Sequence, residues 1–142
     1  MNISDSELSS ELQELYLQNK EWLSDILYLE DETRFFQKLF DKVLLSSIDD
    51  DKFEEIKFIN TSLSELQTRR AELRTLVNSQ IEVLQSMMKD LTQAMDLQFI
   101  TANETASNEI KALFKSDKLV KKELYTLVEQ VLLKQKESHL LS

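Results

Sequence analysis

The acidic clusters are the parts of this sequence best equipped for chemistry, because carboxylates can bind cations or transfer protons. They are Glu30-Asp31-Glu32 and Asp49-Asp50-Asp51. Successive residues of a helix point about 100° apart, so the first cluster cannot converge on one ion. The second cluster lacks the Gly that a curved calcium loop requires. We therefore predict a turn with helix-capping residues at Asp49–Asp51.

A second arrangement of carboxylates follows helical spacing. Glu21, Asp25 and either Asp31 or Glu32 would lie on one helix face and could form a weak divalent-cation site. A solvated acidic face is the simpler interpretation of such a stripe, because Asp and Glu are mostly exposed. We predict no metal site and no cofactor.

Catalytic motifs are missing from the sequence. The chain of 142 residues has no Gly, Pro or Cys, and its single His, His139, lies close to the C-terminus. These absences exclude phosphate-binding Gly loops, thiol nucleophiles and Cys-based zinc sites. The Ser and Thr hydroxyls have no credible base. We therefore expect a protein that is not an enzyme.

The charge balance narrows the range of partners. The net charge is −9, from 17 basic and 26 acidic residues, and a nucleic-acid binder would need a dominant basic surface. The first ten residues lack the pattern of a signal peptide, and no apolar run is long enough to span a bilayer. We expect a cytoplasmic protein that does not bind nucleic acid.

Apolar residues recur at spacings of three and four, the pattern of helices that pack along one stripe. We call these positions the seam. It runs from Leu8 to Val43, from Ile56 to Ala94 and from Ile110 to Val131. The polar stretch 101–108 favours a break, and Ser116-Asp117 could cap a restart.

These patterns predict an all-α fold, an elongated up-down-up three-helix bundle with coiled-coil-like packing. The expected helices are 6–45, 51–99 and 106–138. They form a single domain over 1–142, with flexible tails at 1–5 and 139–142.

Polar residues occupy several seam positions, among them Asn19, Thr33, Arg70 and Gln80. Buried polar groups need partners, and such pairs can set the alignment of helices. Antiparallel pairing of the first two helices would place Asn19 near Asn78 and Gln80. We interpret the four residues as a polar core that sets the register.

A second turn near residue 101 would place each residue of the first helix beside the one about 106 positions later in the third. That register brings the acidic first helix against a lysine stripe, namely Lys111, Lys115, Lys118 and Lys122. Such a stripe would complement the first helix. The alternatives for it are a membrane surface or an anionic ligand, and a contact with a partner protein. We regard a membrane as the less favoured partner.

The same register leaves residues 33–64 without a third helix. Exposed apolar surface of that size is rare in a monomer. We therefore predict a dimer or partner interface formed by Tyr28, Phe35, Phe36, Leu39, Phe40, Phe53 and Phe58. Two alternatives remain open: the surface takes a heterologous helical partner, or the second turn lies near residue 95 and the third helix covers most of it.

The favoured function is a protein–protein interaction or scaffold bundle that self-associates through this Phe-rich hairpin. The alternative is an adaptor, or a small acidic export-chaperone-like protein, that binds an amphipathic client helix in an apolar groove. Only size, acidity and helical character support that alternative, since no residue motif does.

Overall fold

The computed structural model describes residues 5–45, 52–92 and 95–141. The chain forms three helices, α1 (Asp5–Leu45), α2 (Phe53–Lys89) and α3 (Leu97–Leu141). They pack against each other, and the described residues include no strand. The predicted all-α three-helix bundle is confirmed. The predicted turn at Asp49–Asp51 lies outside the described residues.

Packing divides the chain into two compact units. Unit 1 consists of Met1–Tyr28 and Arg70–Ala112, and unit 2 of Leu29–Arg69 and Leu113–Ser142. Each unit therefore takes a segment from all three helices. In unit 1, Leu12, Leu84, Met87 and Phe99 form a buried cluster. In unit 2, the most deeply buried side chains include Phe36, Phe40 and Ile59.

The seam predicts burial well. In α1, every predicted seam position from Asn19 to Val43 is buried, and in α3 so is every one from Ile110 to Val131. Polar seam residues are buried together with the apolar ones, because helical spacing sets the direction of a side chain regardless of its chemistry.

The second turn lies earlier than predicted. α2 ends at Lys89 rather than near 99, and α3 begins at Leu97 rather than near 106. Asp96 caps α3, because its Oδ1 accepts a hydrogen bond from the Phe99 amide at 2.8 Å. Asp90 organises the preceding turn by accepting bonds from the amide and hydroxyl of Thr92.

The predicted break at 101–108 is wrong, as is the predicted restart at Ser116-Asp117. Both stretches are helical. Weak helix formers cost less than about 0.7 kcal/mol each, and burial offsets that cost. Phe99, Ala106 and Ile110 are all buried, so the seam of α3 extends back through the polar stretch.

The earlier turn changes the register between α1 and α3. Residues that face each other across an antiparallel turn are equally distant from it, so moving the second turn by one residue changes the α1–α3 offset by two. In unit 1, Asn19 is bonded to Asn103, 84 residues later. In unit 2, Lys121 pairs with Glu32, 89 residues earlier. Both offsets are well below the predicted value of about 106.

This shift removes the predicted gap. Unit 2 contains Leu29–Arg69 packed with Leu113–Ser142, so the described residues between 33 and 64 do have a third helix. A hydrogen bond from Arg69 Nη1 to Ser116 Oγ at 3.1 Å joins α2 to α3 within it. The alternative of a turn near 95 is the one that the structure adopts. At the predicted tails, Asp5 and residues 139–141 are helical.

Candidate functional site

Unit 2 carries an aromatic surface where α1 and α3 meet. The ring centroid of buried Phe36 lies 6.1 Å from that of Phe35 and 6.0 Å from that of Tyr125, both in edge-to-face geometry. Phe35 remains 58% exposed and Tyr125 40% exposed. We call Phe35 and Tyr125, which both contact Phe36, the aromatic face. It presents two large rings to solvent on a support that belongs to the core.

A charged pair borders the aromatic face. Lys121 Nζ lies 3.5 Å from Glu32 Oε2 and 5.5 Å from the ring centroid of Phe36. The ammonium therefore interacts with a carboxylate and with the face of an aromatic ring. This pair aligns α1 with α3 in unit 2 and leaves Phe35 and Tyr125 uncovered.

The predicted interface residues fall into distinct environments. Phe36 and Phe40 are buried within unit 2, and Leu39 is half-buried. Phe53 and Phe58, on α2 of the same unit, are exposed. Tyr28 is exposed on α1 of unit 1. The core burial of Phe36 and Phe40 corrects their place in the predicted surface, because α3 covers the side of α1 on which they lie.

The predicted polar core is buried, but its bonds differ from those expected. Asn19 Nδ2 donates to Asn103 Oδ1 at 3.1 Å and to the Leu15 carbonyl at 2.9 Å, so its inter-helix partner is on α3 and not Asn78 on α2. Thr33 Oγ1 donates to the Leu29 carbonyl at 2.7 Å, a bond within its own helix. Both polar side-chain atoms of Gln80 are buried without a hydrogen-bond partner among the described residues.

Two polar seam residues were missed by the sequence reasoning as members of this core. Asn103 is the partner of Asn19, and Asp117 is buried in α3. Their spacing in the sequence could have identified both as inward-facing. Asn103 continues the seam from Phe99 to Ala106, and Asp117 lies between Leu113 and Val120. Placing the break at 101–108 concealed the first of them.

The lysine stripe does not face the acidic α1, and that prediction is wrong. Its members are exposed, and none has an ion pair with a described residue; they are Lys111, Lys115, Lys118 and Lys122. Lys121 makes the contact with α1 instead, because the shorter offset brings its side of α3 against Glu32.

The carboxyl groups of Asp25 and Asp90 have shifted pKa values. Partial burial, and then the negative charge of Glu21, raise the pKa of Asp25. Hydrogen bonds from Thr92 lower the pKa of Asp90. Among the described residues no group of three His, Cys, Asp or Glu side chains could hold a metal ion, and that includes the stripe through Glu21 and Asp25.

No helix in the described ranges is both long and apolar enough to cross a bilayer. No protein-family model, curated protein or solved structure matches this chain. The interpretation of its surfaces therefore depends on their own chemistry.

Proposed function

We propose that this chain is a non-enzymatic protein–protein interaction bundle that self-associates through the aromatic face of unit 2. The observation that carries this proposal is the exposure of Phe35 and Tyr125 beside a buried Phe36. Aromatic side chains are enriched at protein interfaces, where they add large apolar area at low entropic cost. A cytoplasmic location is part of the same proposal.

The support under the aromatic face favours an interface. Phe36 is in the core, and the Glu32–Lys121 pair fixes α1 beside α3. The two exposed rings are therefore held in place before a partner arrives, which lowers the entropy lost on binding. A second copy would bury both rings against the same rings of its partner, as in a two-fold symmetric dimer.

Sedimentation equilibrium on the purified full chain tests this function. In about 1 M salt, where charge–charge contacts are screened, we expect wild type at twice the chain mass of 16.7 kDa, because ions screen apolar contacts only weakly. The double variant Phe35→Glu/Tyr125→Glu should be a helical monomer in the same high-salt buffer. The matched control, Phe53→Glu/Phe58→Glu, places the same charges on exposed aromatic positions of α2 and should remain dimeric.

Several results of the sedimentation experiment would overturn the proposal or move the interface. A dimer that persists in Phe35→Glu/Tyr125→Glu, or a wild-type monomer, overturns the proposal. Dissociation of the α2 control alone would move the interface to Phe53 and Phe58. A wild-type monomer that binds a synthetic amphipathic helix, with loss of binding in Phe35→Glu/Tyr125→Glu, would favour the adaptor or chaperone-like alternative.

A further inference from the structure

The outer surface of α3 in unit 2 combines exposed apolar area with positive charge. Leu119 is 54% exposed, and it lies in a shallow open groove with Lys115, Lys118 and Lys122. No described residue forms an ion pair with these three lysines. We call this surface the basic face. Its positive charges can therefore pair with another molecule.

The outer surface of α1 in unit 1 has the opposite character. Leu17 is 58% exposed, and it lies in a shallow groove with three glutamates, namely Glu11, Glu14 and Glu21. These glutamates form no ion pair with any residue in the described ranges. We call this surface the acidic face. Leu17 is thus an exposed leucine among negative charges, as Leu119 is an exposed leucine among positive ones.

The spacing of charges around the two leucines matches when the helices run antiparallel. Glu14 lies three residues before Leu17, and Glu21 lies four residues after it. Lys115 lies four residues before Leu119, and Lys122 lies three after it. An antiparallel pair with Leu17 opposite Leu119 therefore brings Glu14 to Lys122 and Glu21 to Lys115.

The neighbouring positions agree with this alignment. Gln18 would lie opposite Lys118, and an amide oxygen is a good acceptor for an ammonium. In unit 2, α1 and α3 of one chain run in the same direction, since Glu32 and Phe36 contact Lys121 and Tyr125 in ascending order. The antiparallel match thus points to α1 of another molecule.

We propose that the basic face of α3 binds the acidic face of α1 of a second copy of this chain, with the helices antiparallel and Leu17 against Leu119. This contact is centred on residues outside the aromatic face, and only the end of the alignment, where Glu11 lies opposite Tyr125, touches that face. Charge complementarity steers and aligns the two surfaces, and the leucines provide the apolar contact. The association is therefore sensitive to salt, unlike the aromatic one.

A charge-exchange experiment tests the contact in the full-length Phe35→Glu/Tyr125→Ser background, which removes the aromatic interface without placing a negative charge opposite Glu11. One variant adds Lys115→Glu/Lys122→Glu, and the other adds Glu14→Lys/Glu21→Lys. We expect the parent to self-associate at about 50 mM salt and to dissociate near 1 M, where the Debye length is roughly 3 Å. Each charge variant alone should self-associate at least about tenfold more weakly.

An equimolar mixture of the two charge variants should associate again. The acidic α1 of the first meets the basic α3 of the second, and the basic α1 of the second meets the acidic α3 of the first. Circular dichroism establishes that each variant is helical. A mixture of helical variants that stays monomeric overturns the proposal, as does a parent that is monomeric at low salt.

Vesicles separate this contact from membrane binding. Sedimentation with vesicles that contain phosphatidylserine should leave the parent in the supernatant. Binding of a monomeric parent, lost in Lys115→Glu/Lys122→Glu but kept in Glu14→Lys/Glu21→Lys, would assign the basic face to an anionic lipid surface and overturn the proposal. Failure of the aromatic interface would appear separately, in chains that carry wild-type charges.

Discussion

Lys121 Nζ lies 3.5 Å from Glu32 Oε2, although 89 residues separate the two in sequence. The Glu32 side chain is mostly buried and that of Lys121 is partly exposed. Such a pair is stronger than a fully exposed one, because less water screens it. It also holds the Lys121 ammonium near the Phe36 ring.

A double-mutant cycle with Glu32→Gln and Lys121→Met should measure a favourable coupling of about 0.5–1 kcal/mol in the free energy of unfolding. Urea denaturation followed by circular dichroism provides the four values. The exposed pair between Arg34 and Glu30 serves as the control and should couple more weakly. A coupling near zero for Glu32 and Lys121 would contradict the pairing.

Adjacent phenylalanines should differ sharply in their effect on stability. Phe36 is 2% exposed and Phe35 is 58% exposed. Phe36→Ala should lower the free energy of unfolding by about 3–5 kcal/mol, because it leaves a cavity. In the Tyr125→Glu background, where a charge opposes pairing of the aromatic faces, Phe35→Ala should change it by about 0.5 kcal/mol or less. Similar losses at both positions in urea titrations would place Phe35 in the core.

Gln80 is buried with no hydrogen-bond partner for either polar side-chain atom among the described residues. Gln80→Leu should therefore raise the free energy of unfolding, by about 1 kcal/mol or more, because burial of an unpaired amide is costly. Asn19→Leu is the matched control, since the Asn19 amide donates to Asn103. It should lower stability. If Gln80→Leu proves destabilising in thermal or urea unfolding, the amide has a partner in solution.

The cap at the start of α3 should contribute measurably to stability. Asp96→Ala removes the acceptor of the Phe99 amide bond and should cost about 1 kcal/mol. Asp96→Asn keeps an oxygen acceptor and should retain most of the stability, which separates the hydrogen bond from the charge. Equal losses in the two variants, measured by urea titration, would assign the effect to the interaction of the carboxylate with the helix dipole.

Asp25 makes stability depend on pH. Burial and the charge of Glu21 raise its pKa in the folded state above the ordinary 3.8, so the folded chain binds this proton more tightly than the unfolded chain does. Ionisation of Asp25 therefore lowers the free energy of unfolding as the pH rises from its ordinary pKa to its raised pKa in the folded state. Asp25→Asn should be more stable than wild type at neutral pH.

This advantage should shrink as the pH falls from the raised pKa of Asp25 towards the ordinary carboxyl value and vanish below it, where Asp25 is protonated in both states. Glu21→Gln should have a smaller effect in the same direction, because it removes the second of the two causes. Unfolding titrations across the acidic range measure both variants. A gain for Asp25→Asn that is independent of pH would exclude its titration as the cause.

The sequence by itself determined which residues face inward. The spacing of three and four identified the buried face of each helix, including polar members such as Asn19 and Gln80. This information is local, because the turn angle of a helix fixes the direction of every side chain relative to its neighbours. The absence of Gly and Cys likewise excluded phosphate-binding Gly loops, thiol nucleophiles and Cys-based zinc sites, whatever the fold.

Only the tertiary structure decided where the second turn lies and what faces what. The second turn could form at Asp90 and Asp96 or in the polar stretch 101–108. The local preferences for these two places differ by less free energy than packing contributes. Burial of Phe99 and Ala106 decided between them. Each residue by which the second turn shifts changes the offset between α1 and α3 by two. A small error in the predicted position of that turn therefore placed the lysine stripe wrongly against α1. The same doubling brought α3 over Phe36 and Phe40, while Phe35 and Tyr125 remained at the surface.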